Sequence, residues 1–191
     1  MNFIPTLHMD GGTFLAWAEG REGRYELANG RVLMMTGGSL GHALVVRGLF
    51  KALDSRLTGT RWITLTSDFA VRIGPNTVRY PDVVVDAAGG KLRNLAAAAP
   101  VLIAEVLLPS SATSDLGDKA AEYLRLSTVS AYLVLSQDEP KVWVWVRDGS
   151  EFTAGSEVID GEDGIIRIPP LSIELPLAEI YAGITQSSQQ S

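Results

Sequence analysis

The spacing of apolar and polar positions changes period several times along the chain, dividing it into a series of predicted strands and helices. Residues 13–19 predict a short helix, and two alternating runs follow, 25–28 and 31–35, joined by Asn29-Gly30. That dipeptide predicts a tight hairpin, because a two-residue type I′ turn needs positive φ at both central positions. Beyond Gly37-Gly38, Leu40, Ala43, Leu44, Val46, Leu49, Phe50, Leu53 and Leu57 form one stripe and predict an amphipathic helix over 40–57. Strands are expected at 62–66, 69–73 and 78–86, with a turn at Gly74-Pro75-Asn76, and a short helical piece at 91–98. Residues 101–108 form an apolar run of strand length, as in a strand covered on both faces.

A helix over 115–126 comes next, with Ser114 as N-cap and Asp115 and Asp118 in its first turn, where the helix dipole favours acids. Strands are expected at 131–135 and 141–146, the second alternating valine with Trp143 and Trp145 on one face. One or two further strands, a closing helix over 177–182 and a disordered tail over 185–191 complete the prediction. Antiparallel meanders before the 101–108 run and a strand–helix–strand crossover after it give an α/β class: a central mixed β-sheet flanked by helices, with an N-terminal hairpin and additional antiparallel strands. A single domain over 1–184 is expected.

Composition narrows the chemistry. Cysteine is absent, which excludes disulfides, thiolate zinc sites and a cysteine nucleophile, and two histidines exclude a multi-histidine metal centre within one chain. The first ten residues lack the basic start and apolar stretch of a secretory signal, and no apolar run nears the roughly 18 residues that span a bilayer, so a cytoplasmic protein without membrane partners is expected. The net charge of −6 argues against a polyanionic partner until its distribution is considered. Residues 21–93 carry 11 basic and 6 acidic side chains, whereas residues 126–191 carry 3 and 10, so a phosphate-facing surface built from the first half is possible.

Two carboxylates stand where a core would not choose them. Asp82 follows Pro81 and opens an otherwise apolar strand; taken alone it is more often a strand-edge residue than a ligand. Glu105 lies inside a run of seven apolar side chains, where an ionised carboxylate costs several kcal/mol unless paired, protonated or metal-bound. It is a site candidate on that ground. Asp115, Lys119 and Tyr123 recur at intervals of four on one helical face, which is ordinarily a surface ion pair beside an aromatic ring. Turned toward Glu105, however, Lys119 could hold a phosphate or an attacking water.

In order along the chain, Tyr25-Glu26-Leu27-x-x-Gly30, His42 opening a helix, Arg79-x-Pro81-Asp82, Glu105-Val106-Leu107-x-Pro109-Ser110 and Asp115-Leu116-Gly117-x-Lys119-x-x-x-Tyr123 resemble the Uma-two family. That family is assigned to the PD-(D/E)XK restriction-endonuclease-like superfamily, and the resemblance covers residues from about 13 to 180. It implies a restriction-endonuclease-like fold and a magnesium-dependent DNA endonuclease, with manganese as a substitute ion. Asp82 and Glu105 become the two acids of the signature and metal ligands, joined by the carbonyl of Val106. The lysine normally two positions after the second acid is Leu107 here, so the resemblance implies that Lys119 has taken its role. Glu26, His42, Asp115 and Tyr123 follow as second-tier site residues. Ser136 replaces an aspartate common in the family, and Leu133 stands in place of the second member of a Tyr-Trp pair.

The chemistry is consistent with that implication, since magnesium binds oxygen ligands, keeps several waters and needs few protein donors. DNA is then the partner, and a homodimer is expected. Two other readings compete: a nuclease fold kept as a nucleic-acid-binding scaffold, which would bind DNA without cutting it, and a self-associating protein whose Trp143 and Trp145 form a subunit interface.

Overall fold

In the computed structural model, which describes residues 2–108, 115–153 and 155–188, two sheets meet at the centre of the chain. The first is formed by β1 (Asn2–His8), β2 (Tyr25–Ala28), β3 (Arg31–Met34), β5 (Val71–Gly74) and β6 (Thr77–Arg79) in the order β1-β3-β2-β6-β5. The second contains β4 (Trp62–Thr66), β7 (Val83–Ala87), β8 (Leu102–Val106), β9 (Ala131–Leu135), β10 (Lys141–Asp148), β11 (Glu151–Phe152) and β12 (Glu157–Asp160). Its core order is β10-β9-β8-β7-β4; β8 and β9 run parallel and the other pairs are antiparallel. A small ribbon, β13 (Ile165–Ile168) with β14 (Ile173–Pro176), precedes the last helix. The mixed α/β architecture is that expected from the sequence, and the predicted hairpin is the middle of a full five-stranded sheet. Asn29 (φ 49°) and Gly30 (φ 81°) make its turn.

The α-helices with both ends among the described residues are α1 (Gly11–Ala18), α2 (Leu40–Leu57), α3 (Asp118–Tyr123) and α4 (Leu177–Ser188). No described helix is long and apolar enough to cross a membrane. Helices α2 and α4 cover one face of the larger sheet, and alternation along β8 sends Leu102, Ala104 and Val106 into that core. Ile103 packs on the opposite side with Tyr123 of α3, Tyr132 of β9 and Trp145 of β10. Gly48 brings α2 against α4 so closely that a Cβ there would collide with the Ile180 backbone carbonyl. Gly48→Ala is therefore expected to destabilise the fold by about 1–3 kcal/mol, read by chemical denaturation.

Several elements differ from the sequence reading. The single strand expected over 78–86 is two strands in different sheets, because Tyr80-Pro81-Asp82 carries the chain from β6 to β7, and proline cannot donate to a ladder. The segment 91–98 is not helical: Leu92 is fully exposed, Ala96 bridges Ala70, and the Asp86 carboxylate accepts from the amides of Ala98 and Ala99. The helix expected over 115–126 is broken: residues 115–116 are helical, Gly117 (φ −115°, ψ −94°) interrupts the helical backbone, and α3 ends at Tyr123. The predicted cap Ser114 lies outside the described residues. The closing helix extends beyond 182 to Ser188, and residues 189–191 are not described. Trp145 is buried and Trp143 packs half-buried in the same cluster, so the two are not the exposed pair that a subunit surface at this strand requires.

Candidate active site

Val83 pairs with Ala104 at the end of the β7–β8 ladder, which sets Asp82 and Glu105 opposite one another one step beyond it. The Val106 amide donates to Asp82 Oδ2 at 2.8 Å, and His42 Nε2 meets the same oxygen at 3.1 Å. His42 arrives there because Ser39 caps α2, its hydroxyl accepting from the His42 amide at 3.1 Å. The Ser39 hydroxyl in turn donates to Gln137 Oε1 at 2.7 Å, which ties the start of α2 to the chain just after β9.

Glu105 is buried, and its Oε1 accepts from Lys119 Nζ at 3.1 Å and from the Tyr123 hydroxyl at 3.0 Å. Lys119 also pairs with Asp115 Oδ1 at 3.1 Å and lies 3.9 Å from Glu26 Oε1. Asp115 and Lys119 thus keep the i, i+4 contact despite the break at Gly117, but the pair is buried and turned toward the strand acids. These contacts leave Asp82 Oδ1 and Glu105 Oε2 without hydrogen bonds among the described residues.

One cleft, of about 80 Å³, is lined by Glu26, His42, Asp82, Glu105, Val106, Asp115 and Lys119. The sequence candidates are therefore brought together, Tyr123 through its bond to Glu105. Its walls belong to both sheets, since Glu26 comes from β2 and Glu105 from β8. Burial raises the Glu105 carboxyl, Lys119 opposes that, and Asp82, Asp115 and Glu26 reinforce it, leaving its pKa at about 8. Burial works against the Lys119 ammonium, yet Glu105, Glu26 and Asp115 outweigh it and hold the lysine charged. The Tyr123 hydroxyl is pushed well above its usual range, first by burial and then by Glu105 and Glu26. It therefore stays a proton donor.

Reading for acids and lysines gives no role to two arginines, Arg24 and the Arg79 that opens the Arg79-x-Pro81-Asp82 motif. Arg24 lines the cleft and donates to the Ser67 carbonyl at 3.2 Å; its position directly before the Tyr25-Glu26 pair was the available signal. Arg79 is buried and joins Glu26 at 3.0 Å to Glu122 at 2.8 and 2.9 Å, which neutralises Glu26 and locks β6 to α3. Burial opposes the charge of Arg79, and its two carboxylate partners more than restore it.

The donors facing the cleft are hard oxygens with one imidazole, a set suited to a hydrated divalent cation. Four carboxylates line the cleft, and Lys119 is the one buried cation among its described lining residues. Among the described residues no group of three histidine, cysteine, aspartate or glutamate side chains is arranged to hold a metal ion. The fit is accordingly to an ion held by two carboxylates and otherwise by water.

The profile of the family Uma2, described as a putative restriction endonuclease, matches residues 12–178. The chain belongs to the Uma2 family. An uncharacterized protein of Synechocystis sp. is 29% identical over 133 residues, 68% of this chain and 69% of the other. Among solved structures, a protein described as a putative nuclease of the DUF820 group from Anabaena variabilis superposes with a TM-score of 0.69. It is 16% identical, covering 87% of this chain and 94% of that one, so it shares the fold. Uma2 membership and this likeness make the α/β fold restriction-endonuclease-like and the family a nuclease family.

Proposed function

We propose that the chain is a magnesium-dependent endonuclease that hydrolyses DNA phosphodiesters, with Asp82, Glu105 and Lys119 as its catalytic residues. The observation that carries this reading is the convergence of two opposed strand carboxylates and a buried lysine in one cleft. Asp82 and Glu105, through the oxygens that make no hydrogen bond among the described residues, and the Val106 carbonyl would hold the ion. When bound, magnesium neutralises phosphoryl oxygens and lowers the pKa of water; manganese would serve in the same site.

The protein's own groups divide the remaining work. Lys119 presents a fixed positive charge for the negative charge that develops on the phosphate. Asp115 and Tyr123 orient Lys119 and Glu105, and Arg79 keeps Glu26 from competing for the lysine. His42 and the Val106 amide fix the rotamer of Asp82. A groove that includes Asp82 is lined by Arg24, Ser39, Arg47 and Phe50, and its two arginines would meet the phosphate backbone.

The test is plasmid nicking with magnesium or manganese at low salt. The wild type is expected to nick and Asp82→Ala to lose both cleavage and metal binding. A wild type inactive across metals and DNA forms, yet retarding DNA in a gel, would replace the nuclease reading with that of a binding scaffold.

A further inference from the structure

Arg24 and Met35 line the cleft of Glu105 and Lys119 on one side, and on the other a second cleft of about 160 Å³ that also includes Tyr25, Ser67, Asp68 and Tyr80. The phosphodiester chemistry uses none of the last four residues. Tyr25 is held in place: its hydroxyl donates to the Glu22 carbonyl at 2.9 Å and its ring meets Trp17 edge-on, 5.1 Å between centroids. Tyr80 is anchored by its amide, which donates to Glu26 Oε1 at 3.1 Å. In contrast, the Tyr80 hydroxyl and the Asp68 carboxylate make no hydrogen bond or ion pair among the described residues. The second cleft therefore offers two tyrosine rings, that of Tyr25 fixed against Trp17, a carboxylate with both oxygens available, and an arginine shared with the centre next door.

We infer that this cleft receives one unpaired nucleobase of the substrate strand, guanine in preference to the others, beside the phosphate to be cleaved. The inference rests on the nuclease reading and adds the substrate's strandedness and its local preference. Aromatic side chains hold unstacked bases by their faces, whichever base is present. A carboxylate distinguishes them by their edges. Guanine presents two adjacent donors, N1–H and the N2 amine, which match the two oxygens of Asp68. Adenine and cytosine set a ring-nitrogen acceptor beside their amine, and thymine sets carbonyls on both sides of its single N–H, so each would oppose a lone pair to the carboxylate. Arg24, lying between the clefts, would hold the phosphate of the same nucleotide. A base paired and stacked in a duplex cannot enter, so the substrate is single-stranded or locally unpaired DNA.

Binding is tested with calcium in place of magnesium, using fluorescent oligothymidine that carries one central dG, dA or dC. The dG oligonucleotide is expected to bind about tenfold tighter than the others, and Asp68→Asn to bring it down to their affinity. Equal wild-type affinities, or a dG preference that survives Asp68→Asn, would overturn the inference. In magnesium, product ends from a randomised single-stranded pool are expected to show guanine enriched at one fixed position beside the cut. Cleavage without such enrichment removes the base cleft and keeps the nuclease; Asp68-dependent dG binding with no cleavage in any metal keeps the cleft and removes the nuclease.

Discussion

Lys119→Met is expected to reduce magnesium-dependent nicking by at least about a hundredfold while leaving metal affinity undiminished. The ammonium is not a ligand of a hard cation, and its removal takes away one of the two donors to Glu105 Oε1, leaving the Tyr123 hydroxyl in place. The substitution also leaves Glu105 and Asp115 facing one another without their shared cation, and breaking a buried pair costs about 3–5 kcal/mol. Melting must therefore be followed beside nicking and metal titration. Lys119→Arg separates the two effects: it keeps the charge and recovers stability, but recovers little cleavage, because a planar fork cannot replace a compact ammonium among Glu26, Glu105 and Asp115. Cleavage that survives both variants would transfer the step to His42, whose Nε2 lies 3.1 Å from Asp82 Oδ2.

Glu105→Gln is expected to flatten the dependence of metal-free stability on pH. Burial and neighbouring carboxylates raise the Glu105 pKa to about 8 in the fold, from an unfolded value near 4.5. Between those values the native state holds a proton that the unfolded chain has released, so stability falls as pH rises. The contribution is fully present below the unfolded pKa and is lost through pH 8. Denaturation of the wild type between pH 5 and 9 should show this decline by a few kcal/mol at most, and Glu105→Gln, neutral throughout, should lack most of it. Near pH 8 the variant is expected to be at least as stable as the wild type and unable to bind the ion. A large loss of stability in the variant at every pH would make Glu105 a structural ion-pair member.

What could be read in advance depended on whether one side chain dictated the outcome locally. Asn29-Gly30 specifies its turn by itself, and the apolar run around Glu105 could be little other than a covered strand, which made its carboxylate conspicuous. The passage of the chain between sheets was hidden because 78–86 has uniform strand propensity on either side of Pro81, and only the partners of Leu27 and Ala104 separate its two halves. In 91–98 the deciding contact is long-range: the Asp86 carboxylate takes two amides twelve and thirteen residues onward. For the site, the acids could be found because burying them is costly. Arg24 carried no such cost, being exposed, and its place beside the cleft depends on the hairpin being folded against the larger sheet.

The crossing at Tyr80-Pro81-Asp82 also makes the cleft a seam between two sheets, with Glu26 in one, Glu105 in the other and Asp82 at the end of the crossing. A strand of nucleic acid gripped by both sides would act as a clasp, since it binds only while the sheets are docked and stabilises that state by mass action. Amides of the Tyr25–Met34 hairpin would then exchange hydrogen more slowly as the cleft fills. The smaller sheet would thereby act as a gauge of occupancy, legible even with a variant that cannot cut.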